Sequence, residues 1–205
     1  MLCKLFFILK IDLSINFISL KKMSLEIILG CMYSGKSTEV MRRINRYKVL
    51  KKEVMIINNQ LDTRYTDGLT GYIATHDKIK TSCISAKILL TLVDTQSFRD
   101  ADVIIVEEAQ FFGDLFEFVV NSIDKHNKHV IVSGLSGDSN KKPFGQIIDL
   151  IPHAEKITKL SALCLECNDG TEAHFSKRIS NKSQNQVLVG SDGDYIAVCR
   201  RHFNS

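Results

Sequence analysis

The run Gly30-Cys31-Met32-Tyr33-Ser34-Gly35-Lys36-Ser37 fits G-x-x-x-x-G-K-[ST], a spacing whose chemistry is the binding of a nucleoside triphosphate. Gly30 and Gly35 let the backbone turn tightly, so that its N–H groups converge on phosphate oxygens. Lys36 adds a point charge for the outer phosphates, and the Ser37 hydroxyl can ligate Mg2+. A second chemical signal is the pair Glu107-Glu108 at the end of an apolar run. Side chains alternate along a strand, so the two carboxylates cannot both face the same way unless the strand has already turned, which suits them to different roles. One would hold the water shell of Mg2+, and the other could accept a proton from an attacking hydroxyl. The third signal is Cys164-Leu165-Glu166-Cys167 with Cys199-Arg200-Arg201-His202. These two knuckles supply four thiolate or imidazole ligands, the set of a closed, tetrahedral, structural zinc site. A redox Cys-x-x-Cys is the rival, but it leaves Cys199 and His202 unexplained.

The elements that must position these groups follow from the hydrophobic pattern. Leu25 to Leu29 reads as a strand before the glycine loop, and Thr38 to Ile44 continues with helical periodicity. The helix N-terminus then adds the positive end of its dipole to the phosphate site. Glu53 to Asn58, Ala101 to Val106 and His129 to Gly134 read as further buried strands. Ser85 to Val93 and Phe116 to His126 carry helical spacing, whereas Asp62 to Asp77 is polar, turn-rich and expected as a loop. Strands alternating with helices predict an α/β fold, a parallel sheet with helices on both faces. From about Leu160 short β-like pieces and paired cysteines take over. The expected organisation is an extension over 1–22, a P-loop ATP-binding domain over 23–159 and a zinc-binding domain over 160–205.

Composition narrows the function classes. The chain of 205 residues is 44% hydrophobic and 24% charged, with a net charge of +4. That mild charge permits an anionic substrate without the signature of a nucleic-acid coat. The cations Arg42, Arg43, Arg46, Lys48, Lys51 and Lys52 read as the solvated face of a helix. Six cysteines without a disulfide-like framework point to a reducing compartment. Residues 1–22 are rich in Leu, Ile and Phe, but Lys10 and Asp12 interrupt the stretch and no small-residue cleavage site follows, so they read as a dispensable extension before Met23. His126 and His129 are expected at the surface, His76 in the polar loop, and His153 and His174 without evident partners.

Taken together, the P-loop, Glu108-Ala109-Gln110-Phe111-Phe112 and the C-terminal ribbon resemble thymidine kinase of the type found in animal cytosol, many bacteria and large DNA viruses. Ser34 to Glu39 with Met41-Arg42-Arg43, Asp62-Thr63-Arg64-Tyr65, Thr75-His76-Asp77, Lys142-Pro143-Phe144-Gly145, and Tyr195 ahead of Val198-Cys199-Arg200 carry the likeness from about Leu25 to Phe203. The resemblance implies a P-loop NTPase-like core with a zinc ribbon and lasso loop, acting as a cytoplasmic kinase (host cytoplasm if viral). Its reaction would move the ATP γ-phosphoryl group to the 5′-hydroxyl of thymidine, with deoxyuridine as a second acceptor. Glu108 matches the catalytic base. Residues 30–37, Asp62, Thr63, Arg64, Glu107, Glu108, Ala109 and Gln110 match the ATP site, with Ser37 and Glu107 toward magnesium. Gln186, Val187, Leu188, Val189 and Gly190 match the base-contacting strand of the lasso. Tyr195 would pack on the nucleoside, with Met32, Phe111 and Phe144 lining the pocket. A homotetramer or homodimer inhibited by thymidine triphosphate is implied, with no nucleic-acid or membrane partner.

This sequence departs from the family pattern in four places. Glu107 stands where Asp is usual, Cys31 where Pro is common and Ser139 where an aromatic often sits. The stretch after Cys167 is slightly longer than in many relatives. The rival class is a nucleic-acid-binding ATPase whose ribbon grips DNA or RNA, which requires a basic, aromatic-bearing ribbon surface. Lys177, Arg178, Lys182, Arg200 and Arg201 are offset there by Glu166, Asp169, Glu172, Asp192 and Asp194. A catalytically dead nucleotide-binding scaffold is a third possibility, against which Lys36, Ser37 and Glu108 speak.

Overall fold

A computed structural model describes residues 23–61, 71–74, 80–180 and 193–205. The chain runs β1 (Ser24–Gly30), α1 (Lys36–Val49), β2 (Val54–Asn59), β3 (Gly71–Ala74), β4 (Lys80–Ala86), α2 (Gln96–Asp100), β5 (Val103–Val106), α3 (Leu115–Asp124) and β6 (His129–Gly134). It continues through β7 (Lys156–Leu160), β8 (Ala162–Leu163), β9 (Glu172–Ala173), β10 (Phe175–Arg178), β11 (Tyr195–Val198) and α4 (Arg200–Phe203). Seven strands form one sheet in the order β3-β4-β2-β5-β6-β1-β7. From β4 to β7 every pairing is parallel, and β3 joins antiparallel at the edge.

The period-2 alternation of strand side chains divides the core between the two faces. Ile28, Ile56, Val103, Ile105 and Ile131 meet Val40, Met41 and Ile44 of α1 on one side. Leu25, Ile27, Ile104, Val106, Val130 and Val132 meet Phe98 of α2 and Leu115, Phe118 and Val119 of α3 on the other. Helices on both faces explain why the strands read as continuous apolar runs. Two small antiparallel pairs, β8 with β9 and β10 with β11, build the C-terminal lobe. Its core of Ala162, Cys164, Ala173, Ala197 and Val198 also takes in Cys31 of the glycine loop.

Several expectations are corrected. Ser85 to Val93 is not helical throughout: Lys80–Ala86 is a strand, and only Leu90–Leu92 makes a 3-10 turn. That turn starts where the Leu90 N–H is taken by the Asp114 carboxylate at 2.8 Å. Within the expected polar loop, Gly71–Ala74 is a strand paired with β4, while Asp62, Thr63, Arg64 and His76 lie outside the described residues. The edge strand β7 gave no clear signal, because Lys156-Ile157-Thr158-Lys159-Leu160 is largely exposed. Arg43 is not on a solvated face. It is buried against Glu26 and Glu39, each at 2.9 Å. His129 is likewise buried, bound to Ser24 Oγ at 2.7 Å and Tyr47 Oη at 2.8 Å. His153 and His174 do have neighbours, the Phe116 ring and the Glu172 carboxylate.

Candidate active site

The glycine loop leaves β1 at its carboxyl end and feeds α1, so its residues lie at the sheet edge where open α/β folds bind ligands. Gly35, with φ of 80°, takes the left-handed turn that starts the helix. Gly30 cannot carry a side chain, since a Cβ there would collide with the buried hydroxyl of Ser34. The Lys36 ammonium folds back on the loop and donates to the Cys31 carbonyl at 2.9 Å. At the loop tip the C-terminal lobe takes hold. The Cys31 thiol donates to the Ala173 carbonyl at 3.4 Å, Met32 N–H to Ser176 Oγ at 2.9 Å and Tyr33 Oη to the Tyr195 carbonyl at 3.4 Å. Burial pushes the Cys31 thiol pKa up, so it packs as a neutral group.

One strand over from β6, β5 delivers the two carboxylates into different surroundings. Glu107 still belongs to the ladder, its N–H donating to the Ile57 carbonyl at 2.9 Å, and the residue is only 4% exposed. Burial first, and then the neighbouring Glu108 charge, push its pKa up, against the pull of Ser133, Ser37 and Lys36. The buried Ser133 hydroxyl faces this carboxylate without reaching hydrogen-bond geometry. A buried carboxylate, the Ser37 hydroxyl and an orphaned Ser133 hydroxyl at one spot make a hard-oxygen donor set, which fits Mg2+ with part of its water shell. Glu108 leaves the strand with φ 49° and ψ 40°, a left-handed conformation that a side chain with a Cβ adopts only at a cost. Its carboxylate accepts from the Gln110 amide at 2.6 Å. The chain has already turned at Glu108, so strand alternation does not govern how the two carboxylates are placed.

Aromatic residues expected around the acceptor fall into two groups. Phe111 and Phe144 pack edge to face with centroids 5.6 Å apart. Tyr195 is buried in β11, its hydroxyl accepting from the Arg178 guanidinium at 2.8 Å while that guanidinium also stacks on its ring. Gln186 to Gly190 lie outside the described residues. Sequence reasoning missed Ser176, Ser133 and Arg178, which touch the loop, Glu107 and Tyr195 from distant parts of the chain and carry no local motif.

In the C-terminal lobe the Sγ atoms of Cys164, Cys167 and Cys199 and a ring nitrogen of His202 lie within 4.8 Å of one another. His202 Nδ1 stands 3.6, 3.3 and 3.6 Å from the three sulfurs in turn, and Cys167 and Cys199 are 3.8 Å apart. Ligands about 2.3 Å (sulfur) and about 2.0 Å (nitrogen) from a tetrahedral zinc would be separated by roughly these distances. The Cys199 N–H donates to Cys164 Sγ at 3.2 Å, the contact a thiolate accepts. All four donors converge, so the redox alternative loses its basis. Three of the lobe's cations have partners within it, while Arg201 is exposed and Lys182 lies outside the described residues. Lys177 donates to the His202 carbonyl at 2.7 Å, Arg200 covers Phe175 and Arg178 holds Tyr195.

The thymidine kinase family model matches residues 23–203. The chain belongs to the thymidine kinase family. Among relatives, thymidine kinase of Choristoneura fumiferana entomopoxvirus is 43% identical over 188 residues, covering 89% of this chain and 97% of that one. Thymidine kinase 1 of Dictyostelium discoideum is 39% identical, covering 88% of this chain and 78% of its own. The cytosolic thymidine kinase of Bos taurus is 38% identical, covering 86% and 70%. Family membership makes the chain an ATP-dependent kinase. Among the described residues no helix is long and apolar enough to cross a membrane.

Proposed function

We propose that this thymidine kinase family member transfers the γ-phosphoryl group of ATP to the 5′-hydroxyl of thymidine, giving thymidine monophosphate and ADP, with deoxyuridine as a second acceptor. The observation that carries the reading is the split between Glu107, buried beside Ser37, and Glu108, turned out of β5 on a left-handed residue. Glu108 takes the proton of the 5′-hydroxyl as its oxygen bonds to phosphorus and the bond to the ADP oxygen breaks. The loop N–H groups of residues 30–37 and Lys36 hold the phosphates in line, so positioning and charge stabilisation supply most of the catalysis. Ser37 and Glu107 would hold Mg2+, which when bound neutralises phosphate charge. Asp62, Thr63, Arg64, Ala109 and Gln110 are proposed around ATP. Met32, Phe111, Phe144 and Tyr195, with residues 186–190, are proposed around the nucleoside.

Cys164, Cys167, Cys199 and His202 would hold structural Zn2+ and tether both ends of the intervening segment, whose closure over thymidine keeps water from the phosphoryl group. We further propose the domain division at 159/160, a dispensable segment 1–22, a cytoplasmic homotetramer or homodimer, and inhibition by thymidine triphosphate. Light scattering on the purified chain, with and without 1–22, tests the assembly: a monomer sinks it. The deciding experiment is a kinase assay with ATP-Mg and each deoxynucleoside, alongside Glu108→Gln. Thymidine should turn over far faster than the purine nucleosides, and Glu108→Gln should cost about 10²–10⁴-fold in rate. Zinc-loaded wild type without thymidine turnover would defeat the reading.

A further inference from the structure

We infer that Gln110 is a positioning residue for the base, aiming the Glu108 carboxylate through its side-chain amide. This rests on the reading of Glu108 as the base and departs from the placing of Gln110 as a direct ATP contact. Gln110 is buried, on the 3-10 turn Ala109–Phe111 that follows Glu108. Its Oε1 lies 3.0 Å from the N–H of Leu135. A backbone N–H can only donate, so the atom facing it must be the amide oxygen. The amide orientation is thereby set, and the group 2.6 Å from Glu108 Oε2 is the amine, donating to the carboxylate. Turning that amide toward a phosphate would forfeit the bond to Leu135.

Two glycines give Gln110 the room it occupies, one at its side chain and one at its backbone. A Cβ on Gly134, at the end of β6, would lie 2.5 Å from Gln110 Oε1. A Cβ on Gly145, where φ is +62°, would collide with the Gln110 carbonyl. Two glycines from separate segments thus close a socket around one residue. Glu108 needs such outside support, because its left-handed backbone is not one it holds by preference. The chain of contacts runs from Leu135 through one amide to the carboxylate, so the base is referenced to the end of β6 as well as to β5.

The test uses the full-length, zinc-loaded enzyme. Gln110→Met and Gln110→Glu are made alone and in a Glu108→Gln background, and kcat and KM for ATP and thymidine are measured with calorimetric binding of a non-hydrolysable ATP analogue. Gln110→Met removes the donor, while Gln110→Glu keeps the acceptor for Leu135 and sets a carboxylate against Glu108, a second route should the first variant fold poorly. We expect kcat to fall about 10²-fold in each, the cost of a misplaced reacting group, with each KM and the analogue affinity within about threefold of wild type. In the Glu108→Gln background Gln110→Met should cost nothing more, since a residue acting through Glu108 has nothing left to position. Loss concentrated in the ATP KM and analogue affinity would overturn the inference in favour of a phosphate contact. Losses that multiply in the double variant would overturn it in favour of a general structural role. Should Glu108→Gln alone keep wild-type kcat, the base reading falls and takes this inference with it.

Discussion

The N–H of Met32, at the tip of the phosphate loop, donates to the hydroxyl of Ser176 2.9 Å away, across 144 positions of the chain. One donor of the ATP-binding loop is thus held by the lobe that carries the Cys/His cluster. Ser176 is buried, so without its hydroxyl the Met32 N–H loses its partner. Ser176→Ala is expected to cost about 1 kcal/mol of stability and to raise the KM for ATP, because the loop tip is released. Ser176→Thr keeps the oxygen and should restore both. Urea unfolding and ATP titration check this, and an unchanged ATP KM in Ser176→Ala would show that the loop holds its shape alone.

The same attachment gives metal removal a consequence beyond the lobe. Cys31 packs in one cluster with Cys164, Ala162, Ala173, Ala197 and Val198. In the same lobe three thiols and one imidazole converge as a set that could hold zinc. Cys164→Ser is therefore expected to lose bound zinc and to weaken both ATP and thymidine binding, with a lower melting temperature. Elemental analysis and binding of each substrate separately provide the readout. Full zinc content would refute the ligand assignment, and loss of thymidine binding alone would refute the coupling to the loop.

Glu107 should be a site where stability is given up for function. Its pKa is raised above the ordinary 4.5 by burial and by Glu108, so the folded state holds a proton more tightly than the unfolded chain does. Stability then falls as pH rises from about that value through the raised pKa, and the folded protein carries the cost of a buried charge above it. Glu107→Gln should raise the melting temperature at pH 8, with the gain over wild type shrinking toward pH 4.5. Magnesium-dependent turnover should fall at the same time. A variant melting below wild type at pH 8 would show that the carboxylate is already balanced by its neighbours.

What the sequence made legible was whatever is contiguous. The glycine loop, the two glutamates and the metal knuckles each sit within a few residues, so their types and spacing carry the chemistry. The buried parallel strands were legible because both faces are covered and the apolar runs are unbroken. The edge strand over Lys156–Leu160 was not, since three of its five residues are exposed, none is buried, and its pattern resembles a loop. Nor could Ser85 to Val93 be resolved: a strand end followed by a leucine-rich 3-10 turn mimics helical spacing. Ser176 matters through its contact with the distant Met32, and nothing in its sequence neighbours signals it. Gln110 and Gly145 lie in motifs the sequence singles out, but the contacts of Gln110 with Leu135 and Gly145 were not legible there. Arg43 and His129 belong to the same class, since each reads as exposed until its distant partners are known, Glu26 for Arg43 and Ser24 and Tyr47 for His129.

Those partners make Arg43 a side chain whose loss the fold should tolerate poorly. Its guanidinium, 6% exposed, binds Glu26 and Glu39 at 2.9 Å each, and Glu26 is itself approached by His129 at 3.7 Å and Lys156 at 3.9 Å. Arg43→Met keeps the apolar stem but leaves two carboxylates near each other without their shared cation. Removing one partner of such a buried pair costs about 3 kcal/mol, and that loss is expected at pH 7 by urea unfolding, with little change in substrate KM. The Glu39 pKa is held below 4.5, chiefly by the Arg42 hydrogen bond and then, against burial, by that of Arg43. Its stabilising contribution is complete above pH 4.5 and is lost as pH falls through the lowered value. The gap between wild type and Arg43→Met should accordingly be full at neutral pH and narrow as pH falls through the lowered Glu39 value, by the part of that lowering which Arg43 supplies. A gap that stays constant down to pH 3 would mean that packing of the arginine stem, rather than its charge, holds α1 to the sheet.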